Sequence, residues 1–452
     1  MKKGGKKMAE KKIEGSDKNK VSFHELLAPI KIGDCEIKNR IAVAPMNMTY
    51  STQDGYVTNQ DIAHLTRRAK GGFGLIVTGA IIATRLAAPF VWQRNLLLYN
   101  DSFIPGMNML VEACHYFGAK VFCQLSIGFG RGGHATDGSQ PYAPSAIPEY
   151  RTLETTPKTM FEGFKRIMAS HPGAIVETPG FPGELQTGDV PREMTIGEIK
   201  SEQIEFAKAC KRAVICGFDG IEIHAPHGYL EHQFLSPRSN RRTDMYGGSL
   251  ENRMRFVLEV TERALNAVKD TIPLGIRLSA DEHLPGGFTL DEVKEVVKRL
   301  SIVGISFLHL SDGAHENERG LFPESMEWVE KHGLAEAKEL KASTGVPVIT
   351  PSVHDPERAE RAVKEKTTDM ISLGRQALSD PDWPNKVKDG RIGEIVRCRR
   401  DLQCLGRSFG TGLSARCILN SELGFEQFDP DLFPRRMPGE LMPPGVKKMY
   451  GA

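Results

Sequence analysis

From Arg40 onward, short apolar runs alternate with longer stretches whose apolar residues recur at three- and four-residue spacing. That alternation is the pattern of parallel strands each followed by a covering helix. The runs are RIAVAPMNM from Arg40, GLIVTGAII from Gly74, KVFCQLSIG from Lys120, GFDGIEIHA from Gly217, PLGIRLSA from Pro273, ISFLHLSDG from Ile305, VPVITPSV from Val346 and TDMISLGRQAL from Thr368. Between them lie DIAHLTRRAKGG, SEQIEFAKACKRAVICG and NRMRFVLEVTERALNAVKD, the last with clear helical periodicity. Eight such units predict an α/β fold of the (β/α)8 TIM-barrel type over residues 23–395.

Two departures from the alternation mark appendages. The third and fourth runs are about 97 residues apart, far beyond an ordinary strand–helix unit, so a long insertion is predicted at about 134–193. It is rich in Gly, Pro and Thr around one helical piece, FEGFKRIMAS, and leaves the barrel at a strand's C-terminal end, where barrel active sites form. A substrate-facing lid and a plain surface or oligomer contact both fit it. Residues 396–452 form an irregular C-terminal extension, first rich in Cys, Arg and Gly, then a Pro-rich tail without helix or strand periodicity, expected to wrap the barrel or reach a neighbouring subunit. Residues 1–22 are a basic, disordered start.

Composition narrows the function classes. Fifty-nine Lys and Arg against 57 Asp and Glu leave a net charge of +2, too balanced for a nucleic-acid binder. No apolar run approaches the ~18 residues of a membrane span, and no apolar core follows the basic start, so a soluble, cytoplasmic protein is expected. Eight cysteines in 452 residues are too few for a disulfide scaffold. Cys35, Cys114, Cys123, Cys210 and Cys216 read as inert core thiols, whereas Cys398, Cys404 and Cys417 crowd together. The glycines of IGFGRGG are no dinucleotide loop, because no helix pattern follows them.

The richest segment is IEIHAPHGYLEHQFLSPRSNRRTDMYGGSLENRMRF, residues 221–256, which starts at the end of the fourth strand. His224 and His227, three residues apart, can together donate hydrogen bonds to a carbonyl oxygen and stabilise charge developing on it, and the Tyr229 phenol can protonate an adjacent carbon. That is a site for reducing a polarised double bond. A zinc set of His224, His227 and His232 is the metal alternative; no His-Glu-x-x-His pattern supports it.

The run HAPHGYLEHQFLSPRSNRRTDMYGGSLENRMRF, with APM at Ala44–Met46, RLSADEHLPGG from Arg277 and SLGRQAL from Ser372, resembles the Old Yellow Enzyme family of FMN-dependent NAD(P)H:flavin oxidoreductases over about residues 23–425. The DEHLPGG stretch and the cysteine-bearing tail are most similar to its 2-enoate and 2,4-dienoyl-CoA reductase branch. The resemblance implies that Pro45, Met46 and Ala80 line the isoalloxazine, that Gln124 meets its pyrimidine edge, and that Arg277 is the cation near N1 and C2=O. It implies a phosphate site at Gly374 and Arg375, a substrate carbonyl held by His224 and His227, and Tyr229 as proton donor. Taken singly, Arg277 reads equally as a strand-end ion-pair residue and Gly374 as a turn.

Three positions depart from the family pattern. Where a Gly-containing turn usually follows the seventh strand, this chain has Pro351 and Ser352, so the expected phosphate donors there are the backbone amides of Ser352 and Val353. Gln124 is followed by LSIGFGR rather than a His-containing turn. The iron–sulfur branch carries Cys-x2-Cys-x3-Cys-x11–12-Cys, but here Cys398, Cys404 and Cys417 leave the first two positions at Arg397 and Arg400, three thiolates where a [4Fe–4S] cluster takes four. The chain ends before the FAD- and NAD-binding domains that this branch often appends.

The expectation is an FMN-dependent ene-reductase that uses NAD(P)H, or an electron-donor protein, to reduce an alkene conjugated to a carbonyl or thioester. It carries a [4Fe–4S] cluster as an open alternative, and a homo-oligomer is expected. The competing readings are a flavin-dependent amine dehydrogenase or demethylase, which needs an aromatic cage for a cation, and a non-catalytic flavin electron-transfer subunit.

Overall fold

The computed structural model describes residues 22–90, 94–133, 138–152, 184–186, 189–317, 328–433 and 444–450. Eight parallel strands close on themselves: β1 (Ile41–Val43), β2 (Leu75–Val77), β3 (Lys120–Ser126), β4 (Gly220–His224), β5 (Leu274–Ser279), β6 (Leu308–Ser311), β7 (Val348–Pro351) and β8 (Met370–Leu373). Each pairs with the next, and β8 returns to β1 through Ile371 opposite Ile41, so no sheet edge is left. All eight predicted runs are strands of this barrel.

Alternation along the strands divides the core in two. One apolar cluster, Ala42, Leu75, Val77, Phe122, Phe307, Ile349 and Met370, fills the barrel's lower interior, and the hairpin of Ile30–Ile32 and Cys35–Ile37 plugs it with Ile32 and Ile37. Gly220 and Gly275 make room there. A Cβ on Gly220 would sit 2.6 Å from the Phe122 ring, and one on Gly275 would sit 2.4 Å from that of Phe307. The two rings meet at 5.3 Å between centroids, and burial stabilises each by roughly 1.5–3 kcal/mol. The larger cluster lies between the barrel and its helices.

Those helices are α1 (Asn59–Lys70), α2 (Ile104–Tyr116), α3 (Ile196–Ile215), α4 (Leu250–Val268), α5 (Leu290–Val303), α6 (Ala335–Ser343) and α7 (Pro356–Lys364), one after each of β1 to β7, with the shorter α8 (Trp383–Lys388) after β8. Their starts are written locally. Thr58 with Asp61, Thr195 with Glu198 and Thr289 with Glu292 form reciprocal capping boxes at α1, α3 and α5. Asp355 caps α7 just before a proline in its first turn. No helix among the described residues is long and apolar enough to cross a membrane.

The insertion leaves β3 as expected. Tyr142–Ala143 pairs in parallel with Arg192–Glu193, and Tyr150–Thr152 pairs antiparallel with Glu184–Gln186. The helical piece FEGFKRIMAS lies outside the described residues. The extension folds back on the barrel, with the Tyr50 hydroxyl donating to the Ala415 carbonyl (3.0 Å), Gln60 Nε2 to that of Gly424 (2.7 Å), and Arg68 Nη1 to Glu426 (2.6 Å). α9 (Gln403–Thr411) carries Cys404, and the expectation of a Pro-rich tail without helix is corrected by α10 (Pro444–Tyr450), which packs Val446 and Met449 on the core. Seven residues are too short a stretch to display a period. Cys114, Cys123, Cys210 and Cys216 are buried, but Cys35 is only half-buried on the plug hairpin, which corrects its reading as a core thiol.

Candidate active site

A cavity opens at the C-terminal ends of the strands, with an empty volume of about 1620 Å³ that includes space open to solvent. Pro45, Met46, Ala80, Gln124, His224, His227, Tyr229, Arg277, Ser352, Gly374, Arg375 and Cys404 all line it. The barrel thus gathers residues more than 300 positions apart into one wall.

Its floor is a buried polar layer set by strand register. Gln124 lies opposite Glu222, while His224, Arg277 and His309 stand side by side on β4, β5 and β6. Gln124 Nε2 donates to Glu222 Oε1 (2.6 Å), Glu222 Oε2 lies 2.7 Å from His309 Nδ1, and His309 Nε2 lies 2.8 Å from Ser372 Oγ. Burial alone would raise the Glu222 carboxyl, but His309, Arg277 and Gln124 hold it below its ordinary range. Burial pushes His309 down despite Glu222, so the layer is an anionic Glu222 facing a neutral His309. Burial also lowers Arg277 to about 10, partly offset by Glu222, which leaves it cationic at neutral pH.

Above the floor stand the two imidazoles and the phenol. His224 ends β4, with both ring nitrogens buried and without a hydrogen-bond partner among the described residues. His227 sits in the left-handed backbone region (φ 70°), held by its amide on Ser279 Oγ (3.1 Å) and by Nε2 on Ser311 Oγ (2.5 Å). Burial first, then Arg277, lowers both histidines well below the usual range, so both are neutral. The Tyr229 ring lies 5.0 Å from that of His224 and 6.2 Å from that of His227. Behind it the His315 ring packs edge-on at 4.6 Å, and His315 Nδ1 meets Glu149 of the insertion at 3.1 Å. The insertion therefore reaches the residue that backs the phenol.

Some expected positions differ. The Ser352 amide donates to the Ser372 carbonyl (3.0 Å), and Val353 is packed in the barrel–helix core rather than lining the cavity. Of the two backbone amides expected to donate to the phosphate, that of Ser352 is thus engaged by the barrel's own pairing. His232 faces Glu282 at 2.6 Å, away from a set with His224 and His227. Of the cysteines, Cys404 lines the cavity, while Cys404 and Cys417 pack against an apolar patch of Met48, Tyr50, Leu378, Ala415 and Leu423. Burial raises the Cys404 thiol to about 11. The Cys398 sulfur accepts from the Arg400 amide (3.4 Å). Three thiols are one short of the four thiolates that hold a [4Fe–4S] cluster.

Glu222, His309, Ser311, Asp312, His315, Trp328 and His354 were not singled out in the sequence. The one available signal was the alternation of His309 and Ser311 on β6, which puts both inside the barrel.

The sequence profile of the NADH:flavin oxidoreductase / NADH oxidase family matches residues 25–394. An NADH oxidase of Thermoanaerobacter brockii is 37% identical over 89% of this chain and 57% of its own length. A cinnamate reductase of Clostridium sporogenes is 33% identical over 90% of this chain and 59% of its own. The chain thus spans a little over half the length of these relatives. Among solved structures, a 2-naphthoyl-CoA reductase complex matches at TM-score 0.77 (28% identity, 90% of this chain, 58% of that one). A histamine dehydrogenase from Rhizobium sp. 4-9 matches at TM-score 0.70 (27% identity, 89% and 53%).

Proposed function

The chain belongs to the NADH:flavin oxidoreductase / NADH oxidase family, and on that premise we propose that it is an FMN-dependent reductase of alkenes conjugated to a carbonyl or thioester. The observation that carries this reading is His224, whose two buried ring nitrogens lack partners beside a tyrosine ring. Leaving buried polar atoms unpaired costs about 1–3 kcal/mol each, and a neutral imidazole offers one donor, so the site is built for a ligand with polar atoms that include an acceptor. Arg277 Nε is likewise buried without a partner on the same wall, which fits the carbonyl edge of a flavin pyrimidine. In this reading Pro45, Met46 and Ala80 line the ring system, Gln124 and Arg277 address its pyrimidine, and Gly374 and Arg375 hold the phosphate. FMN held by these residues would supply the hydride chemistry, with NAD(P)H as its reductant.

The chain's own residues do the rest. Arg277 Nη2 donates to Ser311 Oγ (3.3 Å), so the Ser311 hydroxyl hydrogen is free to donate to His227 Nε2. In the tautomer that accepts this bond, Nδ1–H is the ring's remaining donor. His224 supplies the second donor, and the pair polarises the substrate's carbonyl oxygen while remaining neutral. The Tyr229 hydroxyl then delivers its proton to the α-carbon.

Rapid-mixing measurement of the two half-reactions tests this, with cinnamate and an enoyl-CoA thioester as probes. Tyr229→Phe is expected to slow the alkene half-reaction by about 10²–10⁴-fold and to leave flavin reduction by NAD(P)H unchanged. Equal loss in both halves rejects the proton-donor role.

A second reading, oxidation of an amine, is favoured by the Phe129 and Trp328 rings and the Asp312 carboxylate in the cavity lining, which together suit a cation. Histamine as a probe separates the two: flavin bleaching by the amine alone selects this second reading.

A further inference from the structure

Beside the cavity, outside the proposed catalytic set, the loops after β5 and β6 bring together side chains that neither half-reaction uses. His283 follows β5, Asp312 follows β6, and His332 and Glu336 lie four residues apart where a wider π-turn (Val329–Leu334) runs into α6. One ligand atom from each of His283, His332 and Glu336 lies within 4.8 Å of the other two, the one such set of three His, Cys, Asp or Glu residues among those described. Glu336 Oε1 stands 3.7 Å from His283 Nε2 and 3.7 Å from His332 Nδ1, and His283 Nε2 is 2.7 Å from Asp312 Oδ1.

We propose that His283, His332 and Glu336 form a three-ligand site for one zinc-class divalent ion beside the cavity. Bond lengths of 2.0–2.1 Å in a tetrahedron put ligand atoms about 3.3 Å apart, so the two 3.7 Å separations need to close by only a few tenths of an ångström. The donor set of two imidazoles and a carboxylate selects zinc and its transition-metal neighbours over calcium or magnesium. An ordinary ion-pair cluster accounts for the 2.7 Å His283–Asp312 contact. It leaves Glu336 unexplained: the residue is 6% exposed, its Oε2 is buried without a hydrogen-bond partner, and its Oε1 is beyond hydrogen-bond reach of both imidazoles.

The surroundings have the form of an outer shell. Asp281 accepts from the His283 amide (2.6 Å) and the Leu290 amide (3.0 Å) and so fixes the backbone of the loop that carries the His283 ring. The Trp328 ring covers His332 at 4.1 Å, meets His283 edge-on at 5.4 Å, and donates through Nε1 to Asp312 Oδ2 (3.3 Å). Because Asp312, Trp328, Val329 and Gly333 line the cavity, the ion would stand beside its wall.

The test is calorimetric titration of the chelator-stripped full chain with ZnCl2, together with metal content after dialysis. One zinc per chain is expected. His332→Gln and Glu336→Gln are expected each to weaken binding by more than ~100-fold while retaining the wild-type melting temperature of the stripped protein. Cys398→Ser, which alters the rival thiol set, is expected to bind zinc within about 2-fold of wild type, a change that corresponds to no lost ligand. No zinc in the wild-type chain, equal binding by His332→Gln, or loss of zinc in Cys398→Ser would each overturn the proposal. None of these readouts depends on the alkene reaction.

Discussion

Glu222 is the residue on which the site's electrostatics turn. Its two carboxylate oxygens hold Gln124 Nε2 and His309 Nδ1, and its charge offsets that of Arg277 in a layer closed to water. Removing one member of a buried charged set leaves the other uncompensated, which costs about 3–5 kcal/mol. Glu222→Gln is therefore expected to lower stability by that order and to release Gln124 from its fixed orientation. Urea unfolding checks the first effect. Fluorescence titration of the stripped protein with FMN checks the second, and unchanged stability and affinity together would place the charge elsewhere. Glu222 also marks the limit of reading residues from sequence. His224, His227 and Tyr229 stand within six positions and proclaim a chemistry, whereas Glu222 meets its partners 98 and 87 positions away. Only strand register brings them together.

Each barrel element carries its own reason for being where it is. The short apolar runs between stretches of three- and four-residue spacing made every barrel strand legible, and the Thr58, Thr195 and Thr289 caps repeat the message at three helix starts. What no pattern displays is the match of large to small across neighbouring strands. Gly275 on β5 faces Phe307 just before β6, so Gly275→Ala forces a Cβ to within 2.4 Å of the ring. Overpacking of this kind costs about 1–3 kcal/mol. Gly393→Ala, with nothing within 4 Å of the new methyl group, is expected to stay within ~0.5 kcal/mol of wild type. Adding Phe307→Leu to Gly275→Ala should recover part of the loss, because the two positions share one volume. Thermal melts of the three variants decide it, and additive losses would mean that the ring is not what the glycine accommodates.

At the scale of the molecule, the extension is a strap across the outside of the barrel, and one buried contact fastens it. Glu426 reaches Arg68 on α1 at 2.6 Å with both side chains almost wholly buried, and His64, one turn earlier on the same helix, lies 3.8 Å from the carboxylate. Composition identified this segment only as irregular, because a strap takes its conformation from the surface it crosses rather than from a period of its own. Its fastening has a definite pH sign. Burial lowers the His64 imidazole to about 4, so the unfolded chain takes up that proton from about pH 6.5 downward while the folded chain does not. Burial alone would raise the Glu426 carboxyl, but His64 and Arg68 hold it well below its ordinary range, so its contribution is present above about pH 4.5 and is lost below it. Both groups therefore weaken the strap as pH falls and neither does so as pH rises. Limited proteolysis of the wild-type chain between pH 7 and 4 is expected to cut progressively within 412–433 as the pH drops. Glu426→Gln, which leaves Arg68 buried without its anion, is expected to be cut there already at pH 7, with stability lower by about 3–5 kcal/mol. A cleavage pattern indifferent to both pH and the substitution would mean that the strap is held by its backbone contacts to Tyr50 and Gln60 alone.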